Sequence, residues 1–182
     1  METKATELQR VVIIGTSCSG KTTFARALSE KSRVSHVELD AMYWKPNWTP
    51  APQEEFRALA LEAAASEVWV ADGNYKAVRD ILWGRATTVI WLNYPFSVVA
   101  RRALSRTVRR VFFRQAMWSG NRETFRRSFL SRESILWWVL TSYRRRRREY
   151  PQLFQEPQYR HLEIIVFSSP VEAERFLHSV IQ

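Results

Sequence analysis

The sequence predicts an α/β domain built round a parallel sheet, and three observations carry that prediction. Short β-branched runs alternate with segments of helical spacing, which implies right-handed crossovers between parallel strands. The first run leads straight into Gly15-Thr16-Ser17-Cys18-Ser19-Gly20-Lys21-Thr22, a loop pattern whose place is between a strand and a helix. The 182 residues are 46% hydrophobic and 13% aromatic, enough for residues 1–182 to form one domain with a sizeable core.

Taken in order, Arg10-Val11-Val12-Ile13-Ile14 ends at Gly15 and reads as a buried strand. Thr22 through Lys31 reads as a helix, and Val34 to Asp40 as a second strand. Met42 to Pro52 holds three Pro and two Trp and reads as loop. Pro52-Gln53-Glu54-Glu55 opens a helix that runs to about Ser66, with Pro and acids in its first turn. Val68-Trp69-Val70-Ala71 is a third strand ending at Asp72-Gly73, and Thr87 to Leu92 a fourth, halted by Pro95. Phe96 to about Arg114 has helical spacing, with Val98, Val99, Leu104 and Val108 on one side and Arg on the other. Ser128 to Glu149 is a further helix that ends in five consecutive Arg. Leu162 to Phe167 is the last strand and Val171 to Ile181 the closing helix. No repeat and no linker divides the chain.

Composition excludes several classes. Seven Pro and five Gly rule out a collagen-like or linker-rich chain. No stretch approaches the ~18 apolar residues of a membrane span, and METKATELQR lacks the basic-then-apolar pattern of a secretion signal. A single Cys excludes an internal disulfide framework and predicts a reducing, cytoplasmic setting. The net charge of +10 is local. Between Arg101 and Arg148 fifteen Arg stand against two acids, Glu123 and Glu133; that balance of +13 leaves the rest of the chain at −3. Arg presents a planar fork of donors suited to phosphate, so the segment predicts a phosphate-bearing partner.

The strongest chemical signal is the loop from Gly15 to Thr22, which fills G-x-x-x-x-G-K-[ST] completely between a strand and a helix. Its glycines let the backbone wrap a phosphate, and its N–H groups and the helix dipole converge on the anion. Gly15, Thr16, Ser17, Cys18, Ser19, Gly20, Lys21, Thr22 and the following Thr23 are the predicted nucleotide-binding set. Lys21 would bridge the β- and γ-phosphates of ATP and the Thr22 hydroxyl would ligate Mg²⁺. Asp72, at a strand's carboxyl end, is the candidate Mg²⁺-holding acid, or else a turn-forming Asp-Gly. Asp40, with Glu38 two residues back on the same face, is the candidate to orient or deprotonate an acceptor hydroxyl, or else caps a turn. Cys18 reads as a small residue at a variable loop position, with an oxidisable thiol as the other reading.

These residues resemble a known family. The glycine loop, Val37-Glu38-Leu39-Asp40-Ala41-Met42-Tyr43-Trp44-Lys45-Pro46-Asn47-Trp48 and Asp72-Gly73-Asn74-Tyr75 are similar to adenylate-kinase-like P-loop kinases, in the subgroup labelled DNA topology modulation proteins. Val89 to Pro95 and Gly120-Asn121-Arg122-Glu123-Thr124 extend the likeness, with Thr87 and Asn93 standing where many relatives carry Asp. The resemblance implies a three-layer nucleoside/nucleotide-kinase fold with a five-stranded parallel sheet in the order 2-3-1-4-5. It also implies an Arg-bearing lid, here within 101–148, from which Arg106, Arg109, Arg110 and Arg122 are candidates to close over the transferring phosphate. Ser168-Ser169-Pro170 falls where such kinases hold adenine.

Other segments read more plainly. Trp44 and Trp48 form an aromatic wall for an acceptor or a rigid loop packed on the sheet. Trp137-Trp138 fit a helix core or a subunit contact, and the aromatic surplus is compatible with a homodimer. Five successive Arg, Arg144 to Arg148, point all round a helix and read as its solvated end. Phe112, Phe113, Trp118, Phe125 and Phe129 interleave with Arg, a composition shared by stacking surfaces and amphipathic lids. His36, His161 and His178 are scattered and take no role. The expectation is an ATP·Mg²⁺-dependent phosphotransferase acting on a small-molecule acceptor. The alternative is an ATP-binding protein that engages DNA or RNA through its Arg-rich segment.

Overall fold

The computed structural model describes residues 8–113, 118–121 and 135–180. Five strands form one parallel sheet: β1 (Arg10–Gly15), β2 (Ser35–Glu38), β3 (Trp69–Asp72), β4 (Thr88–Leu92) and β5 (Glu163–Phe167). Their order, β2-β3-β1-β4-β5, is the 2-3-1-4-5 arrangement that the resemblance implies. The helices are α1 (Lys21–Ser32), α2 (Leu39–Tyr43), α3 (Gln53–Ala64), α4 (Arg79–Arg85), α5 (Phe96–Phe113), α6 (Ile135–Phe154) and α7 (Pro170–Ser179).

Both faces of the sheet are covered, which is why its central strands are apolar without alternation. Val12 and Ile14 of β1 join Ala71, Val89, Trp91 and the α3 residues Phe56, Ala60 and Ala64 in one core. Val11 and Ile13 point the other way, to Phe24 and Leu28 of α1, Val99 and Ala103 of α5, and Ala173 of α7. Phe56, Ala60 and Ala64 lie four residues apart, so they share the buried stripe of α3. Ser169 caps α7 by accepting from the Glu172 amide at 3.3 Å, while Glu172 accepts from the Ser168 amide at 2.8 Å.

Four details differ from the sequence reading. β2 stops at Glu38, because its partner β3 ends at Asp72, directly opposite in the register; Asp40 therefore lies in the short helix α2 rather than on a strand. The expected loop after Met42 contains a small antiparallel pair, Trp44-Lys45 with Thr49-Pro50, closed by a 3₁₀ turn at Pro46–Trp48. α4, with Ile81, Leu82 and Trp83 buried, was not foreseen because seven residues are too few to display a helical period. In α5, among the described side chains, Val99 and Ala103 are buried, whereas Leu104 and Val108 are 51% and 39% exposed.

Register fixes the working edge of the sheet. Glu38, Asp72 and Ile13 stand side by side across β2, β3 and β1, and Gly15 lies two residues beyond Ile13. Two acids thus reach the carboxyl edge beside the glycine loop. Among the described residues no helix is long and apolar enough to cross a membrane.

Candidate active site

β1 delivers the chain to Gly15, whose φ of +154° and surroundings admit no side chain. A Cβ there would lie 2.7 Å from Ser19 Oγ and 2.8 Å from the Leu92 carbonyl oxygen. The loop then closes through a bond from the Ser19 amide to the Thr16 carbonyl at 3.0 Å, with Cys18 in the left-handed region at φ 65°. Gly20, at φ 95°, is the N-cap of α1 and supplies no side-chain acceptor, and no acid occupies the first turn. Among the described residues no side chain caps the opening N–H groups of α1, which is the condition for anion binding at a helix N-terminus.

Cations gather on the same loop. Lys21 Nζ donates to the Thr16 carbonyl at 3.4 Å. Arg102 donates to the Ser19 carbonyl at 2.6 Å, and Arg106 approaches Cys18 Sγ at 3.8 Å. From α6, Arg146 donates to the Gly15 carbonyl at 3.2 Å although it is only 8% exposed. Burial holds the Lys21 ammonium below its ordinary pKa; the charges of Arg146 and Arg106 lower it further, against opposing pulls from Asp40 and Asp72. Burial likewise lowers Arg146. Ser19 Oγ and Arg106 Nε are buried with no hydrogen-bond partner among the described residues.

This donor set fits a polyphosphate. Desolvated cations and orphaned donors are costly unless an anion meets them, and here they surround the glycine loop at the N-terminus of α1. Among the described residues no three His, Cys, Asp or Glu form a metal cluster. A metal held here would be bound by Thr22 and Asp72 together with ligand oxygens, which suits a hard cation such as Mg²⁺ that keeps few protein ligands.

Asp72 is 2% exposed. Its Oδ2 accepts from Thr22 Oγ1 at 2.7 Å and its Oδ1 from His36 Nε2 at 2.8 Å. Asn74 clasps the end of β1 with two bonds, donating to the Gly15 carbonyl at 2.6 Å and accepting the Gly15 amide at 3.3 Å. Tyr150 of α6 donates to the same Asn74 oxygen at 3.0 Å. Asp40 accepts from the Tyr75 hydroxyl at 2.5 Å; burial, then the Asp40 charge, pushes that phenol's pKa well up.

Beside Asp40 stands an aromatic wall. Trp44 and Trp48 meet edge to face at 5.6 Å, and Trp48 meets Trp118 at 6.4 Å. Trp118 Nε1 donates to Glu38 at 2.7 Å. Asn121 donates to the Lys45 carbonyl and accepts the Trp48 amide, each at 2.9 Å. Residues Trp118 to Asn121, between α5 and α6, are therefore fastened to the Trp44–Pro50 hairpin.

Of the sequence-predicted residues, Gly15 to Thr22, Asp72, Asp40 and Arg106 come together at this edge. Thr23 is exposed on α1. The Arg110 side chain and all of Arg122 lie outside the described residues, as do Phe125, Phe129 and the start of the helix expected from Ser128. The five-Arg run is neither the end of its helix nor wholly solvated. It lies within α6, which continues to Phe154, and Arg146 faces inward because Ser142 and Tyr150, four residues either side, are buried. From the sequence, His36 takes no role, Asn74 enters only within the family resemblance, Arg146 falls in a solvated helix end, and Tyr150 is not singled out. For Arg146 and Tyr150 the signal was the four-residue spacing itself.

The chain matches no family model, and no curated protein is similar to it in sequence. Solved structures share its fold. A gluconokinase from Sinorhizobium meliloti 1021 aligns with a TM-score of 0.52 at 17% identity, over 95% of this chain and 91% of that one. A shikimate kinase from Acinetobacter baumannii in complex with shikimate gives 0.55 at 15%, over 94% and 89%. A sugar kinase from Janibacter sp. HTCC2649 gives 0.52 at 19%, over 94% and 91%. At these identities the likeness is one of fold: an α/β architecture with a five-stranded parallel sheet covered by helices, shared with these kinases.

Proposed function

We propose that this chain is an ATP-dependent kinase for a small hydroxylated molecule. One observation carries the reading: Lys21, Arg106 and Arg146 converge on a glycine loop at an uncapped helix N-terminus, and burial disfavours the charged form of Lys21 and Arg146. The kinases sharing the fold are named for sugars or shikimate, which makes a hydroxylated small molecule the acceptor class to screen first.

Bound ATP·Mg²⁺ supplies an activated γ-phosphoryl group with a divalent charge to screen it. The loop amides and Lys21 hold the phosphate chain, and Arg102, Arg106 and Arg146 supply further cations on the loop side. Arg110 and Arg122 supply additional cations from the Arg-rich segment. Thr22 and Asp72 present oxygens to the metal. Asp40 accepts a hydrogen bond from the acceptor hydroxyl and takes its proton, with Tyr75 fixing the carboxylate's orientation. The Trp44, Trp48 and Trp118 wall flanks the acceptor and excludes water, which suppresses hydrolysis of the nucleotide. Such positioning and preorganised charge account for most of the rate in phosphoryl transfer.

The test is a phosphotransfer screen with ATP and Mg²⁺ against pooled sugars, polyols, nucleosides and nucleoside monophosphates. We expect transfer to one pool, reduced at least ~10²-fold in Lys21→Ala, as for loss of a main electrostatic stabiliser. Unchanged nucleotide affinity and unchanged transfer in Lys21→Ala would sink the proposal.

A further inference from the structure

We infer that His36 is a positioning residue for the divalent metal, acting through Asp72; the inference rests on the ATP·Mg²⁺ reading above. Both Asp72 oxygens are engaged, Oδ2 by Thr22 and Oδ1 by His36. A carboxylate only accepts, so His36 Nε2 carries the proton, and the neutral imidazole suffices to do so. His36 is 15% exposed in its side chain and Asp72 2%, so water competes little for this contact. Among the described residues His36 makes no other hydrogen bond.

The backbone explains why a histidine stands there. Glu38, not His36, is the register partner of Asp72; His36 pairs with Val70, one pleat earlier. A side chain at position 36 must reach along the strand to meet Asp72, and the far nitrogen of the imidazole spans that gap. Asp72 is also the last residue of β3, so its side chain stands at the carboxyl edge of the sheet. Two donors on opposite oxygens fix the carboxylate plane. The Thr22 hydroxyl spends its proton on Asp72 and keeps its lone pairs for a cation. His36 thus sets a Thr22–Asp72 pair in place before any metal arrives, and partners of this kind typically govern metal affinity by 10–100-fold.

The test uses the full chain and three probes: a fluorescent ATP analogue with excess EDTA, the same analogue with saturating Mg²⁺, and Mn²⁺ titrated by electron paramagnetic resonance with ADP present. His36→Gln places an amide nitrogen near the Nε2 position, whereas the amide of His36→Asn falls short at the Nδ1 position. We expect metal-free analogue affinity within about twofold of wild type in both variants. Mn²⁺ affinity and the Mg²⁺-dependent gain should fall about tenfold or more in His36→Asn and recover to within about threefold in His36→Gln. Wild-type metal binding in His36→Asn would overturn the inference, as would equal losses in both variants accompanied by loss of metal-free binding. If the wild-type protein itself shows no Mg²⁺-dependent gain, the ATP·Mg²⁺ reading falls as well, which is a separate outcome from a wild-type gain that the variants leave intact.

Discussion

Lys21 shows how the site stores its readiness as a cost to the empty protein. Burial first, then Arg146 and Arg106, hold its pKa below the ordinary lysine value of 10.5. The native state therefore releases this proton at a lower pH than the unfolded chain does. Between the depressed native pKa and 10.5 the unfolded chain binds more protons, so Lys21's contribution to stability improves as pH rises through that window. Below the window the full penalty is present. Lys21→Met keeps the aliphatic stem and removes the charge. It should raise the melting temperature of the nucleotide-free protein at neutral pH by ~2–4 °C, for a gain of about 1 kcal/mol in a chain of this length. The advantage should shrink as pH approaches 10.5. The same variant should lose the stabilisation that ATP gives the wild type, about 2.7 kcal/mol at a hundredfold excess over Kd. Calorimetric melts with and without ATP check both halves, and a Lys21→Met protein less stable than wild type would refute the account.

At the scale of elements, α6 carries the least expected part of the site. Ser142, Arg146 and Tyr150 follow one another at four-residue intervals and are buried, so one stripe of the helix brings a guanidinium to Gly15 and a phenol to Asn74. Arg144 and Arg148, on other sides of the same helix, are exposed. Arg146→Met should weaken ATP binding about tenfold to a hundredfold, the range of a charge-assisted hydrogen bond worth roughly 1.5–3 kcal/mol. Arg148→Met should stay within about twofold. Equal effects in the two variants, read by titration calorimetry, would mean that α6 attracts nucleotide by bulk charge alone. The contrast also marks where the sequence is readable. Gly15 to Thr22 are consecutive, so their chemistry is written in local order. His36 and Asn74 join them only through strand register, and Arg146 through a helix packing that its four-residue spacing hints at but does not fix. Asp40 was legible as a candidate acid, but its element was not, since the end of β2 is decided by where β3 stops.

For the whole molecule, the parallel sheet was legible because its central strands β1, β3 and β4 are covered on both faces and so appear as largely unbroken apolar runs. The two-residue hairpin strands and the seven-residue α4 escaped for the opposite reason: each is too short to show a period. Charge is the other molecular property, and the fold divides it into two parts. Arg102, Arg106 and Arg146 turn inward to the glycine loop. Arg101 on α5 and Arg144, Arg145, Arg147 and Arg148 on α6 are exposed, and those two helices pack together. An exposed arginine surface attracts polyanions by releasing their counterions, with log K falling by about 0.9 per phosphate neutralised for each unit of log salt. Duplex DNA should therefore bind at low salt and dissociate steeply as salt rises. Replacing Arg144, Arg145, Arg147 and Arg148 by Ala should flatten the slope by about 3–4. A kinase whose inward cations serve the nucleotide and whose outward ones only decorate the surface should show this binding with and without ATP alike. Fluorescence anisotropy across a salt series decides it. DNA affinity that survives moderate salt and depends on ATP would instead favour a nucleotide-switched nucleic-acid protein over the kinase.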